Sequence, residues 1–261
     1  MNRFVSLLVL IALLVLQAAC STTTTTEQKQ ADMAGKTDST QRAAIHTERA
    51  AEYYRLGSMA VALEAAKQSV AAQSSYAPAH NMLALIYMEL REDSKAQASF
   101  EQAIRLAPNF SDALNNYGWF ICQRLTPQRS LPYFEQAIRD PLYTTPHRAH
   151  YNAGVCARKA GDMKASEVNL RASLQRAPEF AAALYELADL SYALGRIKEA
   201  DVVFSRYTKS VRDPDANGLL LGVRISRDTG DRNAEAGYLS QLRRRFPDSV
   251  QTRDAIAGLA Q

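Results

Sequence analysis

From residue 43 onward the chain repeats itself about every 34 residues, and no other feature constrains its fold as much. A unit of that length is too short to bury its apolar face alone. It buries that face against the next unit, so a run of such units stacks. The unit 77–110 shows the pattern most fully. Leu83 and Ala84 stand at places seven and eight, Tyr87 at eleven and Ala96 at twenty, with Phe100, Ala103 and Pro108 at twenty-four, twenty-seven and thirty-two. Two helices joined by a turn account for this order. The small residues let the helices approach, and the large ones fill the gaps between them. Proline at place thirty-two stops the second helix, because it has no N–H and its ring clashes with the preceding turn.

The other units keep parts of the same set. Unit 43–76 has Ala50, Tyr53, Gly57 and Ala62; unit 111–146 has Tyr117, Gly118, Phe134 and Ala137, with two extra residues in the turn Asp140-Pro141-Leu142-Tyr143. Unit 147–180 has Gly154, Gly161, Leu170 and Pro178, and unit 181–214 has Leu187, Ala188, Gly195, Ala200 and Phe204. A divergent unit 215–248 keeps Leu221, Gly222, Gly230 and Pro247, and residues 251–259 read as a short closing helix. These are the places of the tetratricopeptide repeat (TPR). The expected fold is all-α: an α-α superhelix, or TPR solenoid, over 42–261, with six helix pairs, a short C-terminal helix and a concave groove.

The start of the chain reads differently. Arg3 is the sole charge in the first nineteen residues, and Leu7 to Leu16 is an unbroken apolar stretch. That is too short to span a bilayer and suits a signal-peptide core, so 1–19 is expected to be a signal peptide. Ala18-Ala19-Cys20 resembles a bacterial lipobox, in which the cysteine becomes the lipid-bearing first residue. Gln17 stands where the lipobox has an apolar residue, and the alternative is a plain secretory peptide with an incidental cysteine. More than one acyl chain gives stable anchoring, at about 0.8 kcal/mol per buried CH₂. Ser21 rather than Asp follows Cys20, which by resemblance to bacterial sorting favours the outer membrane, on its periplasmic face. Residues 20–41, with Thr22 to Thr26 and almost no large apolar side chain, read as a lipidated, disordered tether.

The net charge of +4 argues against a nucleic-acid partner. Arg243-Arg244-Arg245 is the only dense basic run and reads as a solvated helix face rather than a phosphate or lipid site. No Walker loop, dinucleotide-binding glycine pattern, HExxH or GxSxG occurs, so binding rather than catalysis is expected, with no cofactor. His147 and His150 are three apart and invite a metal reading. However, His46, His80 and His150 all fall at place four of their units, where Leu114 and Leu184 stand elsewhere, so packing is the preferred reading and no metal is expected. Cys122 and Cys156 lie on the first helices of adjacent units. In an oxidising compartment they either form a disulfide or remain two buried thiols. Closing a loop of about 35 residues would contribute roughly 3–4 kcal/mol in the chain-entropy model.

In a TPR, places two, five, nine, twelve and thirteen of the first helix face the groove. Here they include Tyr54, Asn81, Leu85, Met88, Asn115, Trp119, Tyr151 and Val155, an apolar and aromatic strip with amides. Such a strip suits a helix or an extended peptide with apolar anchors, and it lacks the Lys/Arg set that clamps a C-terminal carboxylate. Part of it is expected to pack on neighbouring helices of the chain itself.

Three segments go beyond the generic repeat places: Asn115-Asn116-Tyr117-Gly118-Trp119-Phe120-Ile121-Cys122, Asp140-Pro141-Leu142-Tyr143, and Leu239 to Asp248 reading LSQLRRRFPD. With them the whole chain resembles the PilW/PilF family of type IV pilus assembly lipoproteins, also called pilotins. The chain is expected to be a monomer, and the resemblance implies six TPRs on an outer-membrane lipid anchor. It also implies binding of the pilus secretin subunit, so that the pore reaches the outer membrane and multimerises, with pilus assembly and twitching motility depending on it. The competing expectation is a general envelope TPR scaffold for cell-wall enzymes or outer-membrane protein assembly.

Overall fold

The computed structural model describes residue 35 and residues 37–258. Every regular element among them is helical, and the fold is all-α. The chain divides between Pro108 and Asn109 into two compact units. Unit 1 holds α1 (37–55), α2 (Met59–Ala72), α3 (Ala77–Glu89) and α4 (Asp93–Leu106). Unit 2 holds α5 (Ser111–Arg124), a 3-10 turn (Pro127–Ser130), α6 (Leu131–Arg139), α7 (Pro146–Lys159), α8 (Met163–Arg176), α9 (Ala181–Ala193), α10 (Ile197–Ser210), α11 (Ala216–Thr229), α12 (Arg232–Arg245) and α13 (Val250–Ala257).

Each repeat is a helical hairpin, and its turn explains the glycines. Gly57, Gly161 and Gly195 stand at place fifteen and Gly230 one place later, all with φ between +73° and +86°. That left-handed conformation ends the first helix, and glycine adopts it without a Cβ clash. Arg91 takes it at the same place in unit 77–110 with φ of 63°, the sole non-glycine among the described residues to do so. Several helix starts are marked by caps and first-turn prolines. The side chains of Asp162, Asp215 and Asp231 accept hydrogen bonds from the N–H groups of Ala165, Gly218 and Ala234 at 2.8–2.9 Å. Pro78, Pro132 and Pro146 sit in first turns, where no helical N–H is needed.

The core follows the repeat places. In unit 1, Ala84, Ala96, Phe100 and Ala103 are wholly buried. Truncating a ring such as Phe100 to Ala typically costs 3–5 kcal/mol. In unit 2, Leu170, Leu184, Leu187 and Leu190 join Phe204 and Tyr207 in one cluster spanning α8 to α11, and Leu219, Val223, Leu239 and Leu242 form another under α13.

Three differences from the sequence reading are physical. The first helix begins by residue 37, so it takes in 37–41, the end of the stretch read as a tether. There Ser39 reaches the Gln73 side chain at 3.3 Å. The second helix of unit 111–146 is shortened at its start, where Pro127–Ser130 form a 3-10 turn and Ser130 Oγ donates to the Pro127 carbonyl at 2.6 Å. Place twenty-seven is not always small. It carries Tyr207, whose ring fits only because Gly218 on the next helix has no Cβ; one added there would lie 2.6 Å from the hydroxyl. At that same place Ser69 and Ser173 are buried, and each donates to the carbonyl at place one of its own repeat, Ala43 at 2.7 Å and His147 at 2.8 Å.

Candidate functional site

Within unit 2, α5 and α7 lie side by side and are cross-linked. Cys122 and Cys156 are joined by a disulfide with their Cα atoms 5.8 Å apart, inside the range that unstrained backbones allow. Trp119 lies one turn before Cys122 and packs on the cluster of Cys122, Phe134, Ala153 and Cys156 while staying partly exposed. Across from it Tyr151 meets the Phe180 ring edge-on at 5.3 Å. Burial, with Glu186 nearby, pushes the Tyr151 hydroxyl up to about 12, so it stays a neutral donor. Asn152 Nδ2 donates to Asn115 Oδ1 at 2.9 Å. With Asn116 and Arg148 these groups line an open cavity of about 210 Å³.

The structure therefore brings together Asn115, Trp119 and Tyr151. Val155 is half-buried on the same helix and outside this lining. Asn115 is only 7% exposed and acts mainly by fixing Asn152. In unit 1, Tyr54 and Leu85 lean on the cluster of Ala50, Ala62, Ala65, Ala66 and Ile86; Met88 is half-buried and Asn81 is buried. Arg148, Asn152 and Phe180 were not singled out from the sequence. Arg148 stands at place two, one of the groove places, so it was available to that reasoning. Asn152 and Phe180 stand at places six and thirty-four and reach the cavity through local helix geometry.

The histidines have other uses. His147 meets Phe180 edge-on at 5.3 Å, His150 Nδ1 pairs with Asn169 Oδ1 at 3.3 Å, and His80 Nε2 pairs with the Ser74 carbonyl at 2.8 Å. His46 pairs with Arg49 at 3.1 Å. Burial lowers the His147 and His150 imidazoles below the ordinary histidine value. Cys20, the stretch read as a signal peptide and the start of the stretch read as a tether lie outside the described residues.

Two other arginines on the first helices are paired within the chain. Arg158 pairs with Asp189 at 2.7 Å and with Glu186 at 3.4 Å. A larger cleft of about 530 Å³ among α9, α11 and α13 has Tyr192 donating to Asp228, and Arg227 bonding Glu235 and the Ala255 carbonyl. The α5–α7 cavity differs. Its lining carries three aromatic rings, three amides and one cation, with no carboxylate.

Tetratricopeptide repeat models match residues 77–110 and 157–221. The crystal structure of PilW, described as a widely conserved type IV pilus biogenesis factor, is 35% identical to this chain. It superposes with a TM-score of 0.76 over 82% of the chain and 98% of PilW. The chain belongs to the PilW/PilF family of type IV pilus biogenesis TPR proteins. The type IV pilus assembly protein PilF of Pseudomonas aeruginosa is 24% identical over 202 residues, covering 77% of this chain and 80% of PilF. The structure of Pseudomonas aeruginosa PilF shares the fold with a TM-score of 0.79 at 22% identity, over 85% of this chain and 99% of PilF. The family's all-α repeat architecture is the one described above.

Proposed function

We propose that this protein is a pilotin: an outer-membrane lipoprotein that binds the type IV pilus secretin subunit and promotes its localisation and multimerisation there, as pilus assembly and twitching motility require. The observation that carries this reading is the 35% identity with the pilus biogenesis factor PilW over nearly all of PilW's length. The α5–α7 cavity supplies a place for a partner segment, with aromatic anchors and amides set on cross-linked helices. Cys20 supplies the anchor. In this reading the protein acts by holding a partner, not by catalysis.

A deletion strain tests the role. Loss of heat-stable secretin multimers from the outer membrane is expected, and their persistence at wild-type level overturns the proposal. Replacing Cys20 with Ala tests the anchor. The fold should survive by circular dichroism while the protein leaves the outer-membrane fraction; unchanged fractionation would remove the lipid from the reading.

A further inference from the structure

We propose that the α5–α7 cavity takes an extended peptide segment bearing a carboxylate beside a large apolar side chain, with Arg148 pairing the carboxylate and Asn152 pairing the peptide backbone. This deepens the binding role proposed above and rests on the partner being held in unit 2.

The charge inventory comes first. Arg158 already has Asp189 and Glu186, and Arg227 has Glu235. Arg148 is exposed at the cavity edge and makes no ion pair among the described residues. Asp112 is close enough to feel its charge but lies outside the lining. A planar guanidinium with five donors, beside a cavity holding no acid of its own, is complementary to a carboxylate.

The amides decide the backbone form. Asn152 spends one N–H on Asn115, which holds its side chain in place and leaves its carbonyl oxygen and second N–H for a ligand. That donor–acceptor pair matches the N–H and C=O of a peptide unit. In a helix those backbone groups are already paired internally; in an extended segment they are available. Trp119, Tyr151 and Phe180 supply the apolar contact, as aromatic anchors do at the centre of most interfaces.

The carboxylate has two sources, an Asp/Glu side chain or a free C-terminus. The test uses biotinylated twelve-residue peptides tiled over the periplasmic secretin sequence from the same bacterium. One set has amidated C-termini. A matched set has Asp and Glu changed to Asn and Gln, and a third has free C-termini but no Asp or Glu. The full-length lipidated protein is probed in detergent, alongside secretin pull-down from membranes. Amidated peptides with an acid next to an aromatic or leucine should bind best, and the neutralised set about tenfold more weakly. Preference for the third set assigns the carboxylate to a C-terminus.

Arg148→Glu should lose about tenfold for acidic peptides and regain binding to Glu→Lys peptides. Arg148→Lys should stay within about threefold, and Asn152→Leu should lose about fivefold. Equal binding of all three peptide sets, or an Arg148→Glu affinity within twofold of wild type, overturns the inference. If secretin is still captured in that case, the pilotin reading stands alone. Capture of acid–apolar peptides without capture of secretin sinks the pilotin reading and keeps this one. Capture of neither overturns both.

Discussion

The two units solve the same packing problem with different residues at the same place. At place eight of the repeat, unit 1 carries alanine, Ala50 and Ala84, both wholly buried. Unit 2 carries glycine in three of its repeats: Gly118, Gly154 and Gly222. A Cβ added there would lie 2.9 Å from the Phe134 ring, 2.8 Å from Leu170 Cγ and 2.9 Å from the Tyr238 ring. Alanine is accommodated in unit 1, while three repeats of unit 2 leave no room for a Cβ at that place. Unit 2 also adds a disulfide and sets amides and a cation beside its rings. In unit 1 the corresponding strip of Tyr54, Leu85 and Met88 has a single amide, the buried Asn81, and Tyr54 and Leu85 rest on an alanine-rich cluster. One repeat pattern thus supports a plain stack and a specialised one, and the specialisation sits around α5 and α7.

The largest test of this contrast is removal of the cross-link. The paired change Cys122→Ser and Cys156→Ser should lower stability by roughly 3–4 kcal/mol if loop-closure entropy governs. Amide exchange should accelerate in α5 and α7 and not in α2 and α3. Uniform acceleration would mean the bond does not act locally. Next in size is Gly154→Ala. Helix propensity alone favours alanine by about 1 kcal/mol. The contact with Leu170 should reverse that sign and leave a net loss of about 1–2 kcal/mol in urea unfolding. A stabilised variant would show that α7 and α8 can separate at no cost.

Trp119→Ala should weaken secretin capture about tenfold, near 1.4 kcal/mol, with the fold intact by circular dichroism, because Trp119 is a partly exposed anchor rather than a core ring. Met88→Ala in unit 1 should change capture less. The reverse order would move the binding site to unit 1. Arg91→Gly tests unit 1's own irregularity. Relieving a left-handed non-glycine residue should raise stability by about 0.5–1 kcal/mol net of glycine's entropy.

The smallest effect is a pH response. Burial holds the His150 imidazole below its ordinary value, with Asn169 and Arg176 as its polar neighbours. Protons therefore bind the unfolded chain more readily, so this contribution is present above the ordinary imidazole value and lost as pH falls below it. The urea midpoint should drop between pH 7.5 and pH 5.5 more in the wild type than in His150→Leu, a change that installs the residue found at the same place in Leu114 and Leu184.

The helix pairs, their turns and the buried faces were legible because each depends on residues a few places apart. Gly57, Gly161 and Gly195 mark the turns, and Ala96, Phe100 and Ala103 mark the facing sides. The tether boundary was read too late, at residue 41. Residues 37–41 are polar by composition, yet Ser39 meets Gln73, a contact 34 places away that local composition does not register. The site was half legible. Trp119, Tyr151 and Asn115 follow from repeat places, but Asn152 and Arg148 gain meaning only from what faces them. Asn115 bonds Asn152 across 37 residues, and Arg148 stands beside a cavity without acids.

The sequence by itself determined the period, and with it the all-α repeat fold, since 34-residue units can bury their faces only by stacking. The tertiary structure decided that Cys122 and Cys156 meet, why Tyr207 needs Gly218 opposite it, and that Arg148 borders a cavity lined by no acid. Those depend on distances between helices, which a pattern along one chain does not contain.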